Sequence, residues 1–385
     1  MVGRKKKPKI CEKVSHEEDR ISQLPEPLIS EILSHLPTKD AVRTSLLSTK
    51  WRYLWQSVLG LDLDSYKFST FDDFVTFVGR FFDSHRESWI RKLRLSFGYY
   101  RHGMCDLTSW IDAVTTRRIQ HLDVTCFPDD ELQIPPSLYT CETLVHLRLY
   151  EAILCNAEFV SLPCLKIMHL QHNRYPNQTT LQKLISGSPV LEDLAIIRSS
   201  NDDDKANVVE CLINIHGGTQ VVIDAPLLQC LSATVSSTKN FQIINVGSSA
   251  KLDIGFPSFR TTYSSMIPDI LTDISRVREL VINNAIVWKE LVKNRFMRGK
   301  KEKEPKVMFA TVPQCLVSSL KFVELKRSIS GYEGEIELIR YLLKNSTMLE
   351  KLRLNIYYSK KAMCDFLKEL VAMPRCSSTC EVLVL

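Results

Sequence analysis

A short apolar pattern recurs along most of this chain, and it constrains the fold more than any other feature. In each copy an apolar residue is followed by two other residues, a second apolar residue, one other residue and a third apolar residue. The clear copies begin at Ile90, Ile119, Leu144, Leu165, Leu191, Leu228, Val277, Leu320 and Leu349. The spacing is close as far as Leu191 and wider after it, and a weaker copy, Ala250-Lys-Leu252-Asp-Ile254, lies in one of the wide gaps.

Alternation within each copy predicts a short strand whose core residues share one side. Because a single copy cannot bury that side alone, successive copies must stack, and their strands then form a parallel sheet on the inner face of a curved solenoid. This is the leucine-rich-repeat signature, although its spacing is irregular. We therefore predict an α/β chain in which residues 61–310 are leucine-rich repeats.

The residues between the core positions are predicted to line the concave face of that sheet. The candidate substrate-binding residues on this face are Arg94, Arg148, Tyr150, His169 and Gln171. Each of them, taken alone, fits a solvated strand residue better than a binding residue. The face as a whole is predicted to bind a partner, since a long exposed surface is what a solenoid provides.

The first forty residues after the polar tail 1–19 predict three short helices. The first carries an apolar stripe between Pro25 and Pro37, made of Leu28, Ile29, Ile32, Leu33 and Leu36. Thr38 is the expected cap of the second, whose apolar face is Val42, Leu46 and Leu47. The third carries Trp51, Leu54, Trp55 and Val58. About 40 residues bury too little surface to be stable alone, so this apolar surface must pack against the remaining chain or another protein.

This segment, residues 20–60, resembles an F-box. The resemblance is carried by Leu24-Pro25-Glu26-Pro27, by Ile32-Leu33-x-x-Leu36-Pro37 and by Ser48-x-x-Trp51-x-x-Leu54-Trp55. It implies docking on a Skp-type adaptor that binds a cullin–RING ubiquitin ligase. The implied first contacts are Leu24, Pro25, Leu28, Ile29, Ile32, Leu33 and Leu36, while Trp51, Leu54 and Trp55 brace the module and share the junction. The alternative is that the helices only cap the solenoid.

The C-terminal part, residues 311–385, is similar to the plant FBD domain. The resemblance is carried by Pro313-Gln314-Cys315-Leu316, by Gly331-Tyr332-Glu333-Gly334 and by Pro374-Arg375-Cys376 with the residues up to Cys380. The sequence predicts a strand–helix–strand–helix unit, with helices over 335–345 and about 359–372 and a final strand over 381–385. The resemblance implies no chemistry, because no established activity attaches to that domain.

Composition and motifs argue against several other classes of protein. No apolar run approaches the ~18 residues of a membrane helix, and the 12 cysteines lack a C-x-x-C pair, so we expect neither a membrane anchor nor a metal. Phosphate-loop, dinucleotide and hydrolase motifs are absent, so we expect no cofactor and no enzyme activity. The net charge of +6 is small and interspersed, which makes nucleic acid an improbable partner.

These observations predict the substrate-recognition subunit of an SCF-type ubiquitin ligase, with an unidentified protein as the substrate. The alternative is a leucine-rich-repeat interaction scaffold that acts outside a ligase. The basic tail at residues 1–19 is expected to be disordered, and residues 4–9 are either a nuclear import signal or a solvated tail. The protein is expected in the cytoplasm or the nucleus. Polar residues 199–205 and basic residues 293–306 are predicted to be loops.

Overall fold

A computed structural model describes most of the chain outside its N-terminal tail. The described residues are 20–84, 90–98, 104–126, 132–197, 221–234, 241–247, 250–255, 274, 276–283, 312–329, 333–356 and 360–385. The predicted tail with its import signal and the predicted loops at 199–205 and 293–306 lie outside these residues. Within them, no helix has the length and apolar character needed to cross a membrane.

A twelve-stranded parallel sheet is the backbone of the molecule. In spatial order its strands are β1 (Gly60–Asp64), β2 (Lys92–Ser96), β3 (His121–Thr125), β5 (His146–Tyr150), β7 (Ile167–Gln171), β8 (Asp193–Ile197), β10 (Cys230–Thr234), β12 (Lys251–Gly255), β13 (Glu279–Asn283), β14 (Phe322–Ile329), β15 (Lys351–Ile356) and β16 (Glu381–Val384). Every clear copy of the apolar pattern, and the weak copy at Ala250, forms one strand of this sheet. The predicted α/β repeat fold is confirmed.

The strand register places equivalent positions of the repeat side by side. Leu93 is level with Leu122 on β3, and the match continues through Leu147, Met168, Leu194, Leu231, Leu252, Leu280, Val323 and Leu352. All these side chains are buried, at 2% exposure or less. A shift of one residue would turn every one of them to solvent, so the apolar pattern itself fixes the register.

Helices and small sheets cover the side of the sheet to which these apolar residues point. The helices are α3 (Phe71–Ser84), α4 (Met104–Thr115), α5 (Gln178–Ser186), α6 (Gln314–Ser318), α7 (Glu333–Asn345) and α8 (Lys360–Ala372). Two further parallel pairs are β4 (Gln133–Ile134) with β6 (Ile153–Leu154), and β9 (Val221–Ala225) with β11 (Phe241–Val246). At the start of the solenoid the core is aromatic, with Phe82 stacked on Trp110 at 6.1 Å between ring centroids.

The N-terminal module differs from prediction in its third helix. Helix α1 (Glu26–Ser34) and helix α2 (Thr38–Arg43) form as expected, and a 3-10 helix follows at Thr44–Leu46. The predicted third helix is instead a series of turns ending in a 3-10 helix at Leu54–Ser57. Val58, predicted on that helix, belongs to an unpredicted first copy of the repeat, with Leu61 and Leu63 of β1. The chain must become extended to add β1 to the sheet, and this ends the helix early.

Candidate functional site

Helix α1 is apolar on two opposite faces, and only one of them is covered. Ile29 and Leu33 are four residues apart, share a face, and are completely buried. Leu28 and Ile32 share the opposite face and are 53% and 44% exposed. The single stripe read from the sequence is therefore two stripes. A helix that is apolar on all sides is normally buried on all sides, so the outer face is incompletely satisfied in this chain.

The inner face of α1 belongs to a small core of its own. Ile29 and Leu33 form a separate cluster with Ala41, Trp51, Leu54 and Val58, and Leu24 and Leu36 pack at its margin. Ile29 and Leu33, predicted to be first contacts of the adaptor, are therefore core residues, because their side of α1 faces Trp51 and Leu54. The geometry agrees with a bracing role for Trp51 and Leu54, which are also buried.

Two leucines that the sequence analysis placed on a buried helix face are the most exposed apolar side chains of the module. Leu46 is 86% exposed and Leu47 is 68% exposed. They lie outside α2 because that helix ends at Arg43, so the helical spacing used to predict their burial does not apply. We define Leu28, Ile32, Leu46 and Leu47 as the module's apolar surface. An end to α2 after six residues is the signal that would have revealed the last two.

Hydrogen bonds fix the segments that present this surface. The indole Nε1 of Trp51 donates to Ser22 Oγ at 2.7 Å, and Lys50 Nζ donates to the carbonyl of Leu24 at 3.1 Å. The hydroxyls of Ser30 and Ser57 are 2.7 Å apart and join α1 to the second 3-10 helix. The turns that replace the predicted third helix therefore hold the start of α1. Pro25 is exposed and directly precedes that helix.

Three contacts join the module to the repeat sheet. Thr38, which does not cap α2, instead accepts a hydrogen bond from the Asp62 backbone N–H of β1 at 2.8 Å through its buried hydroxyl. Trp55 packs on Phe81 of α3 with ring centroids 5.6 Å apart, and Lys39 Nζ lies 4.2 Å from the centroid of the Phe68 ring. Trp55 thus lies at the junction with the solenoid, where its ring packs against the main core.

The structure also brings the five predicted substrate-binding residues onto one side of neighbouring strands, which we call the open face. Arg94, Arg148 and His169 lie in one register row, in which Asp62 and Asp123 alternate with the arginines. Arg94 Nη1 is 3.6 Å from Asp62 Oδ2, and Arg148 Nη1 is 3.9 Å from Asp123 Oδ2. Tyr150 and Gln171 are adjacent in the next row. Such exposed pairs contribute little stability.

Two histidines missed by the sequence analysis complete this face. His121 and His146 are paired on adjacent strands, and the rings of His121, His146 and His169 follow one another at 5.9 and 6.0 Å. Burial, and then the neighbouring His169 and His121, lower the pKa of His146. Burial and Lys92 lower the pKa of His121. The spacing of each histidine was visible in the sequence, but only the register places the three rings in contact.

The chemical groups in the described ranges do not assemble a metal site. No set of three histidine, cysteine or acidic side chains in those ranges has metal-binding geometry. Burial raises the pKa of the Cys315 thiol to about 11, and it also raises the pKa of the thiols of Cys141 and Cys380. A protonated thiol is a poor nucleophile, so these cysteines act as small apolar core residues.

A helical module with an uncovered apolar surface, joined to a repeat sheet with an open face, defines a class of proteins that bind other proteins. Family models agree with each part. The F-box domain model matches residues 21–61, and the FBD model matches residues 310–354. A model of the leucine-rich repeats of the FBD-associated F-box protein At5g56370 matches residues 107–256.

Full-length relatives have the same three parts. The chain is 59% identical to the F-box/FBD/LRR-repeat protein At1g51370 of Arabidopsis thaliana, with all of both chains covered. It is 44% identical to the F-box/FBD/LRR-repeat protein At5g53840 of the same plant, with 98% of each covered. It is 35% identical to the FBD-associated F-box protein At5g22730, with 95% of this chain and 94% of the relative covered. The chain belongs to the plant F-box/FBD/leucine-rich-repeat family.

Proposed function

We propose that this protein is the substrate-recognition subunit of an SCF-type E3 ubiquitin ligase. Its F-box binds a Skp-type adaptor, and through it a cullin–RING ligase, while the open face of the repeats binds a protein substrate. The chain contributes no catalytic group. It raises the local concentration of a substrate lysine near the ubiquitin-loaded enzyme by holding both in one complex.

The uncovered face of α1 is the observation that carries this proposal. Leu28 and Ile32 stay exposed although the opposite face of the same helix is completely buried. Fully burying a leucine or isoleucine side chain stabilises a complex by about 1.5–3 kcal/mol. Leu46 and Leu47 add further exposed apolar surface in the same small module. A protein partner that covers these side chains gains that energy without any rearrangement of the F-box core.

Co-purification with a Skp-type adaptor tests adaptor binding. The double substitution Leu28→Asp/Ile32→Asp should abolish binding and leave the melting temperature of the isolated chain nearly unchanged, since both side chains are exposed. A matched control is Phe159→Asp/Val371→Asp, which places two carboxylates at exposed apolar positions outside the F-box and should retain binding. Failure of the folded wild-type chain to bind the adaptor contradicts the proposal.

The same variant separates the ligase subunit from a scaffold whose helices merely cap the solenoid. A capping role requires the apolar side chains of α1 to be covered by the chain's own residues, as Ile29 and Leu33 are. Under that alternative, Leu28→Asp/Ile32→Asp lowers the melting temperature markedly. The exposure of both residues favours the docking function.

Substrate binding is tested on the open face. Arg148→Glu reverses a charge in the register row, and Gln171→Glu adds a charge in the adjacent row. Proximity labelling with adaptor-bound complexes of the wild type and of this double variant should show proteins labelled by the wild type only. Reconstituted ubiquitination of those proteins should be lost with the variant. Equal ubiquitination by both complexes rules out this face as the substrate site.

A further inference from the structure

The residues that directly precede the strands form a row along one rim of the sheet. The backbone N–H of Glu192 donates to the carbonyl of Lys166 at 2.8 Å, and the N–H of Glu350 donates to the carbonyl of Lys321 in the same way. In both cases a lysine and a glutamate are neighbours, and their side chains form ion pairs of 2.8 and 2.5 Å. Opposite charges on neighbouring strands stabilise such a sheet.

Arg278 breaks this charge pattern. The N–H of Lys321 donates to the carbonyl of Arg278 at 2.9 Å, so two cationic residues occupy neighbouring positions on the rim. Like charges directly opposite each other destabilise a sheet. Lys321 is partly neutralised by Glu350. Arg278 makes no ion pair within the part of the chain that the structure describes, and neither does Arg276 two residues earlier; both are exposed.

A cavity of about 650 Å³ lies at this place, between the start of β13 and helix α6. All three cationic residues line it, and no carboxylate is among the described residues of its wall. Gln314 and Ser318 of α6 contribute polar groups, and the exposed Met348 contributes an apolar one. The volume lies within the ordinary range of sites for small ligands.

The wall of this cavity is held in place by hydrogen bonds to the backbone. Ser319 Oγ donates to the carbonyl of Val277 at 3.0 Å, which ties the end of α6 to the residue between Arg276 and Arg278. The N–H of Phe322 also donates to the carbonyl of Arg278, at 3.0 Å. The two arginines are therefore presented from a fixed backbone next to α6, and a ligand does not have to order it.

We propose that this cavity binds a phosphoryl group carried on an organic molecule. Two unpaired guanidinium groups and a partly neutralised ammonium match a doubly charged phosphate, whereas a single carboxylate would leave cationic charge uncompensated. Arginine forms paired, charge-assisted hydrogen bonds with phosphate oxygens. Met348 gives the organic part of the ligand an apolar contact. The bound anion also relieves the repulsion between Arg278 and Lys321. The site is independent of adaptor docking.

Calorimetric titration of the full-length chain tests this proposal. The probes are pyrophosphate, phosphoserine amino acid and a phosphoserine peptide with its unphosphorylated counterpart, at constant ionic strength set with sodium chloride. We expect the phosphorylated probes to bind and the unphosphorylated peptide not to bind. Arg276→Gln/Arg278→Gln should weaken binding by at least about tenfold. The matched control Arg91→Gln/Lys92→Gln removes two exposed charges from the other end of the sheet and should bind like the wild type.

Thermal melting gives a second readout that does not depend on the choice of probe. In phosphate-free buffer Arg278→Gln should melt at or above the wild-type temperature, since it removes a like-charge neighbour of Lys321. Pyrophosphate should raise the melting temperature of the wild type and the control but not that of the arginine variant. Equal responses from all three chains, or no phosphorylated probe binding to the wild type, overturn the proposal. Stronger binding of the peptide than of pyrophosphate or phosphoserine assigns the site to a phosphorylated protein, and the reverse assigns it to a small molecule.

Discussion

Leu28 and Ile29 show how far apart the roles of two adjacent, chemically similar residues can be. About 100° of helix rotation separates them, so that one side chain faces solvent and the other faces Trp51 and Leu54. Substitution of the buried residue acts on stability, and substitution of the exposed residue acts on binding. The two effects can therefore be measured separately in the same helix.

Ile29→Ala should destabilise the F-box by about 2–5 kcal/mol, because it removes buried methyl groups and leaves a cavity. Leu28→Ala should change stability by less than about 0.5 kcal/mol, since that side chain is exposed. Limited proteolysis and chemical denaturation of the full chain measure the difference. Equal destabilisation by the two substitutions would show that the outer face of α1 is covered in solution.

Leu46 and Leu47 are predicted to contribute directly to adaptor affinity. Leu46→Asp/Leu47→Asp should reduce that affinity by at least about tenfold, because a charged side chain resists transfer into an apolar interface. The melting temperature of the free chain should remain close to that of the wild type. Surface plasmon resonance with the purified adaptor measures the affinity, and undiminished binding would place the interface on α1 alone.

At the scale of a structural element, the histidine row on β3, β5 and β7 links the open face to pH. Burial lowers the pKa of His146 from its ordinary value of 6.5, and His169, His121 and Arg148 act in the same direction. Asp123 opposes them. The folded chain therefore favours the neutral form of His146, and three neutral imidazoles can lie in contact without charge repulsion.

Acidification should destabilise the folded chain through this row. As the pH falls through 6.5, the unfolded chain binds protons before the folded chain does, so the free energy of unfolding decreases until the pH passes the lowered folded pKa. Melting curves between pH 7.5 and 5 should show this loss, and His121→Gln/His146→Gln should reduce it. The His35→Gln chain controls for loss of an imidazole elsewhere. An unchanged pH dependence in the double variant contradicts the assignment.

For the elements themselves, local pattern was enough where the repeat is regular. The strands that follow Leu93, Leu122 and Leu147 were predictable because two alternating apolar positions fix which side faces the core. The third F-box helix was not predictable from the spacing of Trp51, Leu54 and Trp55. That spacing satisfies a helix, yet the turns it forms serve the same core and let the chain enter β1.

At the scale of the whole molecule, the F-box is fastened to the solenoid rather than suspended from it. The Thr38–Asp62 hydrogen bond and the Trp55–Phe81 ring contact join the two cores at the edge of the sheet. A fixed junction positions the open face relative to the adaptor. This is the geometric requirement for presenting a bound substrate to a ubiquitin-loaded enzyme.

Trp55→Ala tests this junction. The loss of the contact with Phe81 should lower the free energy of unfolding, by about 0.5–1.5 kcal/mol for the ring pair alone and more for the lost apolar burial. Adaptor affinity should be retained, since Trp55 packs within its own chain. Denaturant unfolding and adaptor titration measure the two quantities. Lost affinity without lost stability would instead make Trp55 an adaptor contact, as the family resemblance implies.

The sequence by itself determined which segments become strands, because alternating apolar residues can be buried in only one register. It also determined that apolar surface near the N-terminus exceeds what a short segment can bury. Only the tertiary structure decided which of those apolar residues remain exposed, since Ile29 and Leu28 are equally apolar and differ only in the direction they face. The same holds for the histidine row and for the arginines beside Lys321. Residues distant in the chain become neighbours only when the strands are aligned.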